Sequence, residues 1–228
     1  MHLQLDAVEA SLEYSYEALR HATGSEKSIC EVLGFSEKRF PTLSVKARQP
    51  RQFQNTVRTS NYEFVIQALY TFFTEYLKGV LFGLYEHNPM LVVGKSNSEL
   101  KYSKIVELGS YERIQECIVE DVFRKLESKR STRALLQDVL GKTGVNVDPA
   151  LIESYVMFSE LRHILVHRAG KLDAKFVNDY SETCGLTIKE GRKMPMAIGF
   201  VRNGIDTNAR LVKEIDSQLV STGYLAAP

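Results

Sequence analysis

Apolar residues recur at three- and four-residue intervals along most of the chain, the period of helices that turn one face to a core. Leu5, Val8, Leu12, Tyr16 and Leu19 predict an amphipathic helix over residues 3–22. Ile29, Val32 and Leu33 predict a shorter helix after Ser25 that stops near Gly34. Residues 61–87 are apolar around most of a helical circumference, from Phe64 through Tyr85, with Ser60 or Asn61 as cap and Asn88-Pro89 as stop. This is the expected core helix. Met90 to Val93 has weak strand character. Ile114, Ile118, Val122, Phe123 and Leu126 mark a further helix over 111–127, and a short one after Ser131 ends at Gly141. Asp148-Pro149 places a capping carboxylate before a proline at the first helical position, opening a helix that runs to His167, with Gly170 beyond it. Asp173 to Cys184 reads as one more helix.

Two stretches break the helical period. Residues 36–60, with Pro41, Pro50 and many Gln, Ser and Thr, predict loop or extended chain. Residues 186–198 predict a β-hairpin, its arms Leu186–Ile188 and Met194–Ile198 flanking Glu190-Gly191-Arg192-Lys193. A final helix over 205–219 follows. The expected fold is all-α: a bundle of about six or seven helices with a small C-terminal hairpin, one domain over 1–228.

Composition narrows the classes. A chain of 228 residues with 44% hydrophobic and 25% charged residues is globular rather than disordered. The net charge of +1 means that any basic surface is local. No apolar run reaches the roughly 18 residues of a membrane span, and the N-terminus carries no secretory pattern. Cys30, Cys117 and Cys184 are odd in number and far apart, which fits free thiols in a reducing compartment, so a cytoplasmic location without membrane contact is expected.

Charge is concentrated in one place. From Lys38 to Tyr62 there is no acidic residue, but Lys38, Arg39, Lys46, Arg48, Arg51 and Arg58 are present. A solvated loop would show this pattern, and so would a phosphate-contacting surface. Gly141-Lys142-Thr143 lacks the glycine five positions before the lysine that a phosphate-cradling loop requires, and reads as a helix end.

The densest chemistry lies in Arg162-His163-Ile164-Leu165-Val166-His167. His163 and His167 are one turn apart, the spacing of two ligands to one metal, but no further His or Cys pair completes a set, so neither metal nor cofactor is expected. Arg162 and His167 leave the helix about 140° apart, at opposite margins of the apolar stripe formed by Leu161, Ile164 and Leu165.

The stretch Glu160 to Gly170 resembles the signature of the HEPN superfamily, an arginine followed by a polar residue and then a histidine late in a bundle helix. Arg162, His163 and His167 stand at those positions. The resemblance implies metal-independent endoribonuclease activity at a site composed across a homodimer, with Arg162, His167 and His163 as catalytic residues. RNA would be held by Arg168, Lys46, Arg48, Arg51 and Arg58. The alternative within the family is an RNA- or nucleotide-binding module that does not cut. Many members are toxins or phage-defence effectors, so an antitoxin or regulatory protein is a further partner that the resemblance implies. The branch silenced by nucleotidylation carries a tyrosine two positions after the histidine; Ala169 stands there instead. The residue types suit the reaction. An imidazole titrates near neutral pH and can take or give a proton. A guanidinium offers a fixed positive fork to a phosphate.

Overall fold

In the computed structural model, Leu5, Leu12 and Leu19 lie buried along one side of α1 (His2–His21), at the spacing the sequence pattern requires. The structure describes residues 1–23, 26–46, 50–94, 99–128 and 132–224. The chain divides into two compact units, Met1–Val65 and Ile66–Pro228. In the first, Leu19 packs with Ile29 of α2 (Ile29–Leu33), flanked by Val32, Leu33, Leu43 and Phe53. Ser28 opens α2 through a reciprocal cap. Its hydroxyl accepts from Glu31 N–H (3.1 Å), and its own N–H donates to the Glu31 carboxylate (2.7 Å). Gly34, with φ 70°, closes the helix in a left-handed turn. A short 3₁₀ turn, Pro41–Leu43, follows, and Ile29 N–H donates to Val45 C=O at 2.9 Å.

The loop expected over 36–60 ends earlier than its composition indicated, because α3 (Pro50–His87) starts at Pro50. A proline at the first helical position suits such a start. The Gln- and Thr-rich turns behind it are held helical by packing: Phe53 joins the Leu19–Ile29 core and Gln54 is buried. Tertiary burial here outweighs weak local propensity.

In the second unit α3 is followed by α4 (Pro89–Val93), α5 (Tyr102–Leu108), α6 (Tyr111–Glu127) and α7 (Thr132–Thr143). α8 (Pro149–His167), α9 (Ala174–Tyr180) and α10 (Ile198–Ser221) complete it. The extended character expected at Met90–Val93 gives way to the helix α4, capped by the Asn88 side chain. α8 is enclosed by α7, α9 and α10. Its residues Tyr155 through Ser159 are all buried, as are Leu151, Leu161 and Ile164. Asp148 caps it by accepting from Ala150 N–H at 2.9 Å. Phe73 of α3 lies against Tyr155 (ring centroids 4.2 Å apart), and Phe158 lies against Phe200 of α10 (5.0 Å). Tyr76 donates its hydroxyl proton to Asp216 at 2.8 Å. Among the described residues no helix is long and apolar enough to cross a membrane.

The hairpin expected over 186–198 does not form, and no strand occurs among the described residues. Its turn is present: Arg192 N–H donates to Lys189 C=O (3.2 Å), with Gly191 at φ 73°, the left-handed position of a type II turn. The turn itself, however, pairs with a different segment rather than joining its two arms. Leu172 N–H donates to Arg192 C=O (2.9 Å), Gly191 N–H donates to Leu172 C=O (2.8 Å), and Lys171 and Lys193 form an isolated antiparallel bridge. Pro195 has no N–H to donate to a ladder, and Met196 N–H turns back to Met194 C=O (2.9 Å). The last helix begins at Ile198 rather than 205.

Candidate functional site

The C-terminal turns of α8 carry Arg162, His163 and His167 out of the core because Leu161 and Ile164, between them on the wheel, are buried. His163 and His167 are exposed, their ring centroids 4.5 Å apart and their planes inclined by 48°. One turn of helix fixes this neighbourhood. Arg162 lies about 100° around the helix from His163 and is half-buried. Its guanidinium carbon sits 4.7 Å from the centroid of the Tyr70 ring on α3, a cation–π contact. No carboxylate pairs with Arg162 among the described residues. Tyr70 also lines, with Tyr155, Ser159 and Asn208, a void of about 10 Å³, room for one water at most.

Beyond His167 the helix stops through two consecutive left-handed residues, Ala169 (φ 50°) and Gly170 (φ 75°). The Ile164 carbonyl accepts from both Arg168 N–H (2.9 Å) and Gly170 N–H (3.2 Å). Arg168 is engaged: its guanidinium meets Asp173 at 2.8 Å, and Asp173 also caps α9 by accepting from Phe176 N–H at 2.8 Å. The pair clamps the end of α8 to the start of α9.

Of the other basic residues expected to hold RNA, Lys46, Arg51 and Arg58 belong to the first unit. Lys46 is paired with Glu26. Arg58 Nε donates to both oxygens of Glu9 (2.9 and 3.2 Å), and Glu9 also accepts from the Tyr62 hydroxyl at 2.8 Å. Arg51 is exposed on the first turn of α3, and Arg48 lies outside the described residues. Arg162, His163, His167 and Arg168 thus share one helix end, whereas Lys46 and Arg58 in the first unit are already neutralised by partners. The chain matches no protein-family model, no curated protein and no solved structure.

Burial shapes the titration of the tyrosines behind this face. Tyr180 is pushed up to about 12, first by burial and then by the Glu160 and Glu153 carboxylates, against the opposing charge of Arg133. Tyr155 is raised by burial. The three cysteines are free, Cys30 and Cys184 being buried. Among the described residues no group of three or more His, Cys, Asp or Glu is placed to hold a metal ion.

Sequence reasoning missed Tyr70, whose position on an apolar helix reads as core. It also missed the placement of Lys189, Arg192 and Lys193, which looked like the tip of a hairpin. Neither carries a local signal, since each depends on a partner distant in sequence.

Proposed function

We propose that the exposed end of α8 is the reactive face of a HEPN-like, metal-independent endoribonuclease that acts on RNA as a homodimer. The carrying observation is the pair of exposed imidazoles, His163 and His167, 4.5 Å apart beside a half-buried arginine. Transfer within RNA needs a base to take the ribose 2′-hydroxyl proton and an acid to protonate the departing 5′-oxygen. It also needs positive charge near the phosphoryl oxygens. His167 and His163 supply the proton-transfer groups and Arg162 the charge. In a dimer, the second copy supplies the same set and lets acid and base come from different protomers. The free cysteines support a cytoplasmic setting, where an antitoxin or regulatory protein would hold such an activity in check.

A second reading, an RNA-binding module without cleavage, is favoured by one observation. Arg162 is held against the Tyr70 ring, and the void that Tyr70 lines is too small for a substrate group. One assay separates the two: incubation with a labelled mixed-sequence RNA in EDTA, beside Arg162→Ala and His167→Ala. Cleavage by the unmodified protein alone, leaving 2′,3′-cyclic phosphate ends, is expected. Cleavage that persists undiminished in His167→Ala sinks the nuclease reading, and tight RNA binding without product selects the module.

A further inference from the structure

The turn at Lys189–Lys193 does not close a hairpin on itself. It is strapped across Lys171-Leu172, immediately beyond the end of α8, by two backbone hydrogen bonds of 2.8 and 2.9 Å and the Lys171–Lys193 bridge. Bridged residues have Cα atoms about 4.5–5.5 Å apart. Lys171 is four residues from His167, so its Cα lies within about 15 Å of that of the histidine. The strap therefore keeps Lys193 within about 20 Å of His167, with Lys189 and Arg192 in the same turn and Lys171 across the bridge.

All four cations are exposed. Among the described residues none of them is in an ion pair, in contrast to Lys46, Arg58 and Arg168. Glu190 is the one carboxylate in the strap sequence, so the four cations leave a net charge of +3 (four minus one). Cations at a helix C-terminus also favour its dipole, but that stabilisation falls off within a turn and does not require three of them on a separate strap.

We infer that this strap is a phosphate-binding track for single-stranded RNA entering the α8 face, an inference that rests on the proposed reading of that face as an RNA site. Its contacts are with the backbone phosphates, which position the strand without reading its bases. The strap is held by main-chain hydrogen bonds, so replacing its side chains leaves its support in place.

The test measures binding of a fluorescein-labelled oligouridylate to the full chain by anisotropy across a salt series. The His167→Ala background prevents cleavage, and Lys189→Ala/Arg192→Ala/Lys193→Ala is compared with the chain that keeps these three residues. Each lost phosphate contact lowers the slope of log K against log salt by about 0.7, so the triple variant is expected to flatten it by about 2. Thermal unfolding of the variant within a few degrees of its parent shows that the strap is intact; if it melts lower, charge reversal at the exposed Arg192 alone (Arg192→Glu) must still weaken binding. An unchanged slope in the triple variant, or unchanged affinity in Arg192→Glu, overturns the inference. So does absence of salt-dependent binding by the parent. Cleavage is scored separately in the His167-containing chain, so binding through the strap without any cleavage leaves this inference standing while the nuclease reading falls.

Discussion

The contact between Arg162 and Tyr70 is open to a direct energetic test. The guanidinium carbon is 4.7 Å from the ring centroid, inside the roughly 6 Å over which the ring quadrupole attracts a cation. Such contacts contribute about 0.5–1 kcal/mol when exposed and about 2 kcal/mol when desolvated. Both residues are half-buried, which places the expected coupling near 1 kcal/mol. Arg162→Met and Tyr70→Leu keep much of the volume and remove the charge and the ring in turn. A double-mutant cycle read by urea unfolding then isolates their interaction. Tyr70→Phe keeps the ring and is expected to retain the coupling, which separates the π face from the hydroxyl. A coupling below about 0.3 kcal/mol, the scatter of additive sites, would refute the claim that the ring holds the guanidinium. The same variants bear on function. If Tyr70 is a positioning residue for Arg162, Tyr70→Leu lowers the RNA cleavage rate and Tyr70→Phe restores it. A merely structural ring would change stability without moving cleavage.

Further outcomes follow from packing and titration. A Cβ on Gly204 would lie 3.0 Å from the Phe158 ring, so Gly204→Val should destabilise by about 2 kcal/mol in thermal or urea unfolding. Gly79→Ala, with nothing within 4 Å of the added methyl, should stabilise α3 by about 0.5–1 kcal/mol. Leu161, fully buried beneath the candidate site, should cost about 2–5 kcal/mol when replaced by alanine; a loss under 1 kcal/mol would contradict its place in the core. Tyr180 titrates near 12 in the folded chain against an ordinary value of 10.0, and Tyr76 and Tyr155 are raised in the same direction. Above pH 10 the unfolded chain gives up protons that the folded chain keeps. Stability is therefore complete below pH 10 and falls as pH rises toward 12, by up to about 1.4 kcal/mol per pH unit for each group. Tyr180→Phe should flatten that alkaline slope, as read by unfolding at a series of pH values.

The sequence by itself determined what depends on neighbours along the chain. Asp148-Pro149 fixes the start of α8, because a cap and a preset φ act within one turn, and the helix runs to His167 as its apolar period indicates. Gly34 ends α2, and Ser110 caps α6 by accepting from Arg113 N–H at 3.3 Å, each through a local requirement. The helical spacing of His163 and His167 was likewise legible, and the structure brings their rings together as that spacing dictates. What the tertiary structure alone decided involves partners far apart in sequence. α3 reaches back to Pro50 because Phe53 finds the Leu19–Ile29 core, a burial that no local pattern announces. The turn at Gly191 was written in the sequence, but its partner was not: the chain there bonds to Lys171-Leu172 rather than to its own second arm, where Pro195 withholds a donor. Arg162 looked like a free cation at a helix margin until Tyr70, carried in on α3, came within 4.7 Å of it. Caps and turns are satisfied by the residues next to them, whereas strap, cation–π contact and core are satisfied only by whatever the fold delivers.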